Sequence, residues 1–319
     1  MTKHKTLAFF IPHRGCPHQC SFCDQRTISG TVQAPTPEEV TQTCQAMLER
    51  SGPLESAQPF LGEGMFSGIR ISTRPDAVDS AVLERLERYH VTAVELGAQS
   101  MCDRVLYQNE RGHDAQAVRQ ASAMLRERGF SLGLQQMVGL YGSTLQDEYD
   151  TLEQLLACQP ETLRIYPTAV LEGTKLAEYY FRGGYPQLSQ EEVLNYCADA
   201  LCRCHHAGVR VIRLGLHDTP SLREHLLAGY FHPAYGELAE SHLYLRQLKE
   251  AAADCGKPEL FVETAPRTMS KVLGQHGCNR KALAEQGVSL RVRENAAVAA
   301  GTILTEQQVY EIFSERNQR

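Results

Sequence analysis

No segment of this 319-residue chain is apolar for long enough to cross a bilayer, which takes about 20 residues as a helix. The opening Met1-Thr2-Lys3-His4-Lys5 leads into an apolar stretch that Pro12 soon interrupts, too short for a secretory leader. No internal repeat or low-complexity tract stands out. Nor is positive charge in excess: 32 Lys and Arg against 38 Asp and Glu give a net −6. That balance argues against indiscriminate polyanion binding by the whole surface, but not against a local basic patch. What is present is ordinary globular usage, 42% hydrophobic and 22% charged, at a length suited to one large α/β domain with a smaller appendage. Eleven cysteines without a leader imply reduced thiols, so the expected setting is cytoplasmic, with no membrane partner.

Three of those cysteines fall together in Cys16-Pro17-His18-Gln19-Cys20-Ser21-Phe22-Cys23, just after Leu7-Ala8-Phe9-Phe10-Ile11-Pro12. Thiolates are the soft ligands of iron–sulfur clusters, and three on one loop can hold three irons of a cubane while leaving the fourth open for chemistry. Two other readings stand beside this one. Zinc would accept the same thiolates with His13 or His18 as its fourth ligand. The pair Cys20 and Cys23 alone could be a redox dithiol, which has no use for Cys16. The run Cys202-Arg203-Cys204-His205-His206 reads instead as a helix, because Val193, Cys197, Ala200 and Cys204 fall at apolar-face spacing. His205 and His206 then lie near its C-terminus, where the helix dipole favours cations. Cys44, Cys102, Cys158, Cys255 and Cys278 read as small buried apolar residues.

Short β-rich runs alternate with helical patterns, the order that builds a parallel sheet. The expected strands are 7–11, 69–73, 93–97, 132–138, 162–166 and 209–214. Thr36-Pro37 with Glu39, and Ser189 with Glu192, read as capping boxes at helix starts. Gly129 and Gly208 sit where left-handed helix stops belong.

The spacing C-x3-C-x2-C, with an aromatic residue just before the last cysteine and a strand ahead of it, resembles the cluster loop of the radical S-adenosylmethionine (radical SAM) superfamily. The resemblance extends through Gly68-Ile69-Arg70-Ile71-Ser72-Thr73-Arg74-Pro75-Asp76, Val94-Glu95-Leu96-Gly97-Ala98-Gln99-Ser100, Arg111-Gly112-His113, Gln136-Met137-Val138-Gly139-Leu140 and Leu163-Arg164-Ile165-Tyr166-Pro167-Thr168. In this order they are similar to the radical-SAM half of the elongator catalytic subunit, which modifies wobble uridines of tRNA. The resemblance implies an enzyme built on an open parallel α/β partial barrel, with a [4Fe–4S] cluster on Cys16, Cys20 and Cys23. It also implies S-adenosylmethionine as cofactor, a reducing electron donor, reductive cleavage of the cofactor, and RNA or tRNA as the substrate class.

Residues at the carboxyl ends of such strands face the mouth of the barrel, which points to Ser72, Arg74, Gln99, Met137, Tyr166 and His217. Arg74 could pair with the methionyl carboxylate or meet Asp76, and Gln99 could bond ribose hydroxyls. Phe22 could pack beside the adenine or shield the cluster.

The chain departs from the family pattern between residues 37 and 69. There the family has a strand ending in Gly-Gly, then a helix, and here the interval is too short for both; Gly183-Gly184 lies too far downstream to substitute. Either the barrel is one βα unit short, or the sequence carries an internal deletion there. Gln116 stands where the elongator group has a lysine implicated in acetyl-coenzyme A binding. The acetyltransferase domain has no counterpart in these residues.

Residues 1–245 are expected to form the core and 246–319 a small α+β domain. In the latter Gly274-Gln275-His276-Gly277 resembles the turn with which KH modules clamp nucleic acid. A plain helix hairpin would use the same glycines. Two further readings stay open: a zinc-stabilised RNA-binding protein without catalysis, and a cluster protein that has lost cofactor cleavage.

Overall fold

The computed structural model describes residues 20–24, 36, 38–39, 68–306 and 308–314. The expected first strand, Cys16 with His13 and His18, Cys44 and the short interval after the first helix lie outside them.

The five expected strands that fall inside are all present. They are β1 (Ile69–Thr73), β2 (Val91–Gln99), β3 (Ser131–Val138), β4 (Thr162–Pro167) and β6 (Arg210–Leu214). They form a five-stranded sheet in the order β1-β2-β3-β4-β6, every pairing parallel. Side chains alternate between its faces. One face carries Val94, Leu96, Leu132, Leu134, Leu163 and Ile165, all at most 1% exposed. Helices cover that face, among them α3 (Ala115–Glu127), α4 (Leu145–Ala157) and α6 (Gln190–His206), through Val118, Leu125, Leu152, Leu155, Val193 and Cys197. Each large aliphatic buried there contributes about 1.5–3 kcal/mol. The opposite, inner face is polar, carrying Arg70, Ser72, Glu95, Gln135, Arg164 and Arg213. The parallel sheet is what the strand pattern anticipates, and the partial-barrel architecture is what the resemblance implies.

The helix ends follow the local code. Thr36 and Glu39 bond reciprocally, with Thr36 N donating to Glu39 Oε2 at 2.7 Å and Glu39 N to Thr36 Oγ1 at 3.2 Å. Ser189 and Glu192 form the same box at the start of α6. Gly129 and Gly208 take φ of +79° and +69°, a region closed to most side chains.

The C-terminal part is a four-stranded sheet ordered β11-β10-β8-β9, built from β8 (Glu259–Thr264), β9 (Ser289–Glu294), β10 (Thr302–Leu304) and β11 (Val309–Glu311). Only β8 and β9 pair in parallel, joined through α9 (Met269–Leu273), the glycine turn and α10 (Cys278–Ala284). The expected boundary at residue 245 falls inside one continuous helix, α8 (Tyr235–Cys255). Leu243, Leu248 and Ala251 of this helix share a second core with Leu260, Val262, Leu283 and Ile303, and Cys202 of α6 joins it. Cys197, Cys202 and Cys204 are fully buried, as the helical reading of that run expects. Cys278 corrects the expectation for isolated cysteines. It is exposed, because it opens α10 directly after the turn, and its thiol faces Asn279 Oδ1 at 3.5 Å.

Candidate cluster and cofactor site

Cys20-Ser21-Phe22-Cys23 makes a tight turn, with Cys23 N donating to Cys20 O at 3.0 Å. The turn is fastened to the sheet's carboxyl end through Asn109. Ser21 N donates to Asn109 O at 3.1 Å and the Ser21 hydroxyl to Asn109 Oδ1 at 2.7 Å. The fully buried Asn109 amide donates in turn to Val105 O at 2.8 Å and Tyr141 O at 2.9 Å. A third tie comes from Leu176 N in α5 (Lys175–Phe181), which donates to Ser21 O at 2.8 Å.

Arg111 completes the setting. Its Nη1 donates to Cys20 Sγ at 3.3 Å, its Nη2 donates to Gly97 O at 2.5 Å, and its guanidinium stands 6.0 Å from the Phe22 ring centre. Phe22 itself is buried in the core.

The end of β2 is irregular. Leu96 pairs with Leu134, but the next pair is Gln99 with Gln136, so β2 carries one extra residue, and Gln99 takes a φ of +66°. Gln99 Oε1 is buried without a hydrogen-bond partner among the described residues, and so is His113 Nδ1. Burial, and then the Arg111 charge, hold the His113 imidazole down at about 4. It is therefore neutral near pH 7, with Nε2 3.3 Å from Ala98 O.

The other expected residues lie as follows. Arg74 meets Asp76, the second of its two readings, with Nε and Nη2 both at 3.0 Å from the carboxylate, and Nη2 also donates to Arg111 O at 2.6 Å. Ser72 sits deeper, its hydroxyl donating to Glu95 Oε2 at 3.1 Å. Met137 and Tyr166 face each other across β3 and β4, both partly exposed. His217 follows β6, its pKa lowered by burial and by Arg213 and Arg164.

At mid-depth on the inner face, buried Glu95 is shared by Arg70 Nη1 at 3.0 Å and Arg164 Nε at 2.9 Å. Gln135 Nε2 adds a bond to Glu95 Oε2 at 3.2 Å. Gly133 is required beside it, since a Cβ there would come within 2.7 Å of Glu95 Cγ.

Two soft thiolate donors, an adjacent cation and two orphaned polar atoms fit an anionic sulfur cluster with a polar organic ligand beside it. No group of three metal-binding side chains occurs among the described residues, which do not include Cys16.

Residues 63–155 match the family model for the Radical SAM superfamily, and residues 160–246 match that for the Radical_SAM C-terminal domain. The matched spans leave out the three-cysteine loop. Over 234 residues the chain is 27% identical to an uncharacterized protein of Methanocaldococcus jannaschii, covering 62% of this chain and 73% of that one. Over 136 residues it is 34% identical to a tRNA uridine(34) acetyltransferase of Dehalococcoides mccartyi, covering 41% of this chain and 29% of that one. The solved archaeal Methanocaldococcus infernus Elp3 with an N-terminal deletion superposes with a TM-score of 0.52 at 26% identity, over 56% of this chain and 42% of that one. The chain thus spans less than a third of the acetyltransferase and less than half of the solved Elp3 chain.

Proposed function

The chain belongs to the radical SAM superfamily, and from that premise we propose that it is a [4Fe–4S] enzyme that cleaves S-adenosylmethionine to start radical chemistry on an RNA substrate, tRNA among the candidates. The observation that carries the reading is the anchored cysteine turn at the carboxyl end of the parallel sheet, with Arg111 bonded to Cys20. When bound, cluster and cofactor supply one-electron reduction and, through it, hydrogen abstraction. The chain's own residues do the rest. Cys16, Cys20 and Cys23 would hold the irons, with Asn109 fixing the turn and Phe22 and Arg111 closing it off from water. Gln99 Oε1 would accept from a hydroxyl of the cofactor, and neutral His113 would offer Nδ1 as a further acceptor. The polar inner face receives the substrate. Relatives bearing the name tRNA uridine(34) acetyltransferase support the RNA class.

The test is anaerobic reconstitution followed by dithionite and S-adenosylmethionine, with iron, sulfide and 5′-deoxyadenosine counted. Stoichiometric sulfide and cofactor-derived 5′-deoxyadenosine are expected. Zinc without sulfide would overturn the cluster. Sulfide without 5′-deoxyadenosine would make this a cluster protein that has lost cleavage.

A further inference from the structure

Among the described residues, the inner face of the sheet holds three arginines, Arg70, Arg164 and Arg213, around one carboxylate, Glu95. Arg70 and Arg164 both close on Glu95. Arg213 faces the same chamber with no acidic partner among the described residues. Its Nε and Nη2 donate to Gly215 O and Leu216 O, both at 2.9 Å, which fixes the guanidinium and leaves Nη1 open.

Arg213 reaches that face through an irregularity in β6. Leu163 pairs with Val211, and the next pair is Arg164 with Arg213, so Ile212 is skipped. In unbroken register Ile212 would stand beside Arg164, and Arg213 would turn toward the apolar core. The skip exchanges an isoleucine for a second guanidinium directly beside the first. Like charges placed opposite one another on a sheet are destabilising, and bulges gather where a side chain must be re-aimed toward a site. Two fixed forks side by side match the oxygens of a tetrahedral anion. His217, three residues beyond the strand, joins the same charges.

We propose that Arg164 and Arg213, with His217, form an oxyanion subsite that takes a phosphate of the RNA substrate. The proposal rests on the RNA reading of the chamber. Glu95 keeps Arg164 in place, and Tyr166 OH accepts from Arg164 Nη1 at 3.2 Å, so the subsite is set before the ligand arrives.

The test measures binding of a fluorescein-labelled unmodified tRNA transcript to the reconstituted protein across a salt series. R213Q should weaken binding about ten- to a hundredfold and lower the salt slope by about one, as for one lost phosphate contact. H217Q should weaken it less, and R213K, which keeps the charge but not the fork, should keep the salt slope while losing part of the affinity. R119Q, which removes an equal charge from the outer surface of α3, should stay within about twofold of wild type. Circular dichroism melts identify any variant that fails to fold, and H217Q leaves the strand register untouched. Wild-type protein that cleaves the cofactor yet binds no RNA would overturn the substrate reading. Wild-type protein that binds RNA, with R213Q and H217Q binding equally well, would overturn the subsite alone. Unchanged RNA affinity in R213Q together with lost S-adenosylmethionine binding would assign the forks to the cofactor's carboxylate and overturn the phosphate assignment.

Discussion

Arg111 donates from Nη1 to Cys20 Sγ across 3.3 Å, although the two residues stand 91 positions apart in the chain. Both are at most 7% exposed, so the guanidinium acts on the sulfur with little screening by water. Hydrogen bonds to sulfur and nearby charge set the potential of an iron–sulfur cluster, because reduction adds a negative charge that a cation stabilises. Arg111→Gln should therefore lower the reduction potential, on the order of 60 mV for a tenfold change in a one-electron couple. Iron and sulfide content should be retained. A redox titration followed by electron paramagnetic resonance reads the shift, and an unchanged potential would reduce Arg111 to a tie between the RGH segment and Gly97.

Asn109 holds the cysteine turn through two bonds from Ser21 while its own amide is satisfied by Val105 and Tyr141. Asn109→Ala would leave the Tyr141 carbonyl and the Ser21 hydroxyl without these partners, at roughly 1–3 kcal/mol for each unsatisfied group, while Val105 O keeps its bond from the backbone N–H of residue 109. Chemical denaturation should show the loss. Cluster loading after reconstitution should fall with it, whereas Cys202→Ala, distant in the second core, should load normally.

Much of the core could be read from the order of residues. The β-rich runs at 132–138 and 162–166 located β3 and β4 to within a residue. The cysteine loop was legible because its chemistry is local. Arg111 was visible within Arg111-Gly112-His113, but its role was not, since it arises only when the fold brings β2 and the loop together. The same holds for Glu95, whose two arginine partners lie 25 and 69 positions away. The extra residue in β2 and the skipped Ile212 could not be foreseen, because register depends on what each neighbouring strand presents. Position 245, where the sequence suggests the core ends, lies inside α8, which runs on to Cys255 and stops at Gly256 in a left-handed conformation.

The glycine turn between α9 and α10 gives a separate test. Gly274 and Gly277 take positive φ, and a Cβ on Gly274 would collide with Cys278 and Asn279, so the first glycine is required by packing whatever the turn binds. His276 is exposed at its tip, and Gln275 is partly so. Changing both to Asp should weaken RNA binding by phosphate repulsion, most at low salt, without unfolding the domain. Equal RNA affinity would leave the turn as a helix connector only.

Glu148 in α4 is fully buried, with Gly139 N donating to its Oε1 at 2.8 Å, the Ser143 hydroxyl donating to the same oxygen at 2.5 Å, and Gln136 Nε2 donating to Oε2 at 3.2 Å. Burial opposes these three donors and wins, raising the carboxyl from its ordinary 4.5 to about 7. The folded protein therefore holds this proton over a range where the unfolded chain has released it. The stabilisation is complete below about 4.5 and is lost as pH rises through about 7, amounting to roughly 3 kcal/mol. Melting temperature should drop between pH 5 and pH 8 by several degrees. Glu148→Gln keeps an acceptor for Gly139 and Ser143 and carries no proton to lose, so its melting temperature should stay nearly flat across the same window. A wild-type protein that instead grew more stable with rising pH, with the trend abolished in Glu148→Gln, would mean that the three donors outweigh burial and that the carboxylate is ionised in the native state.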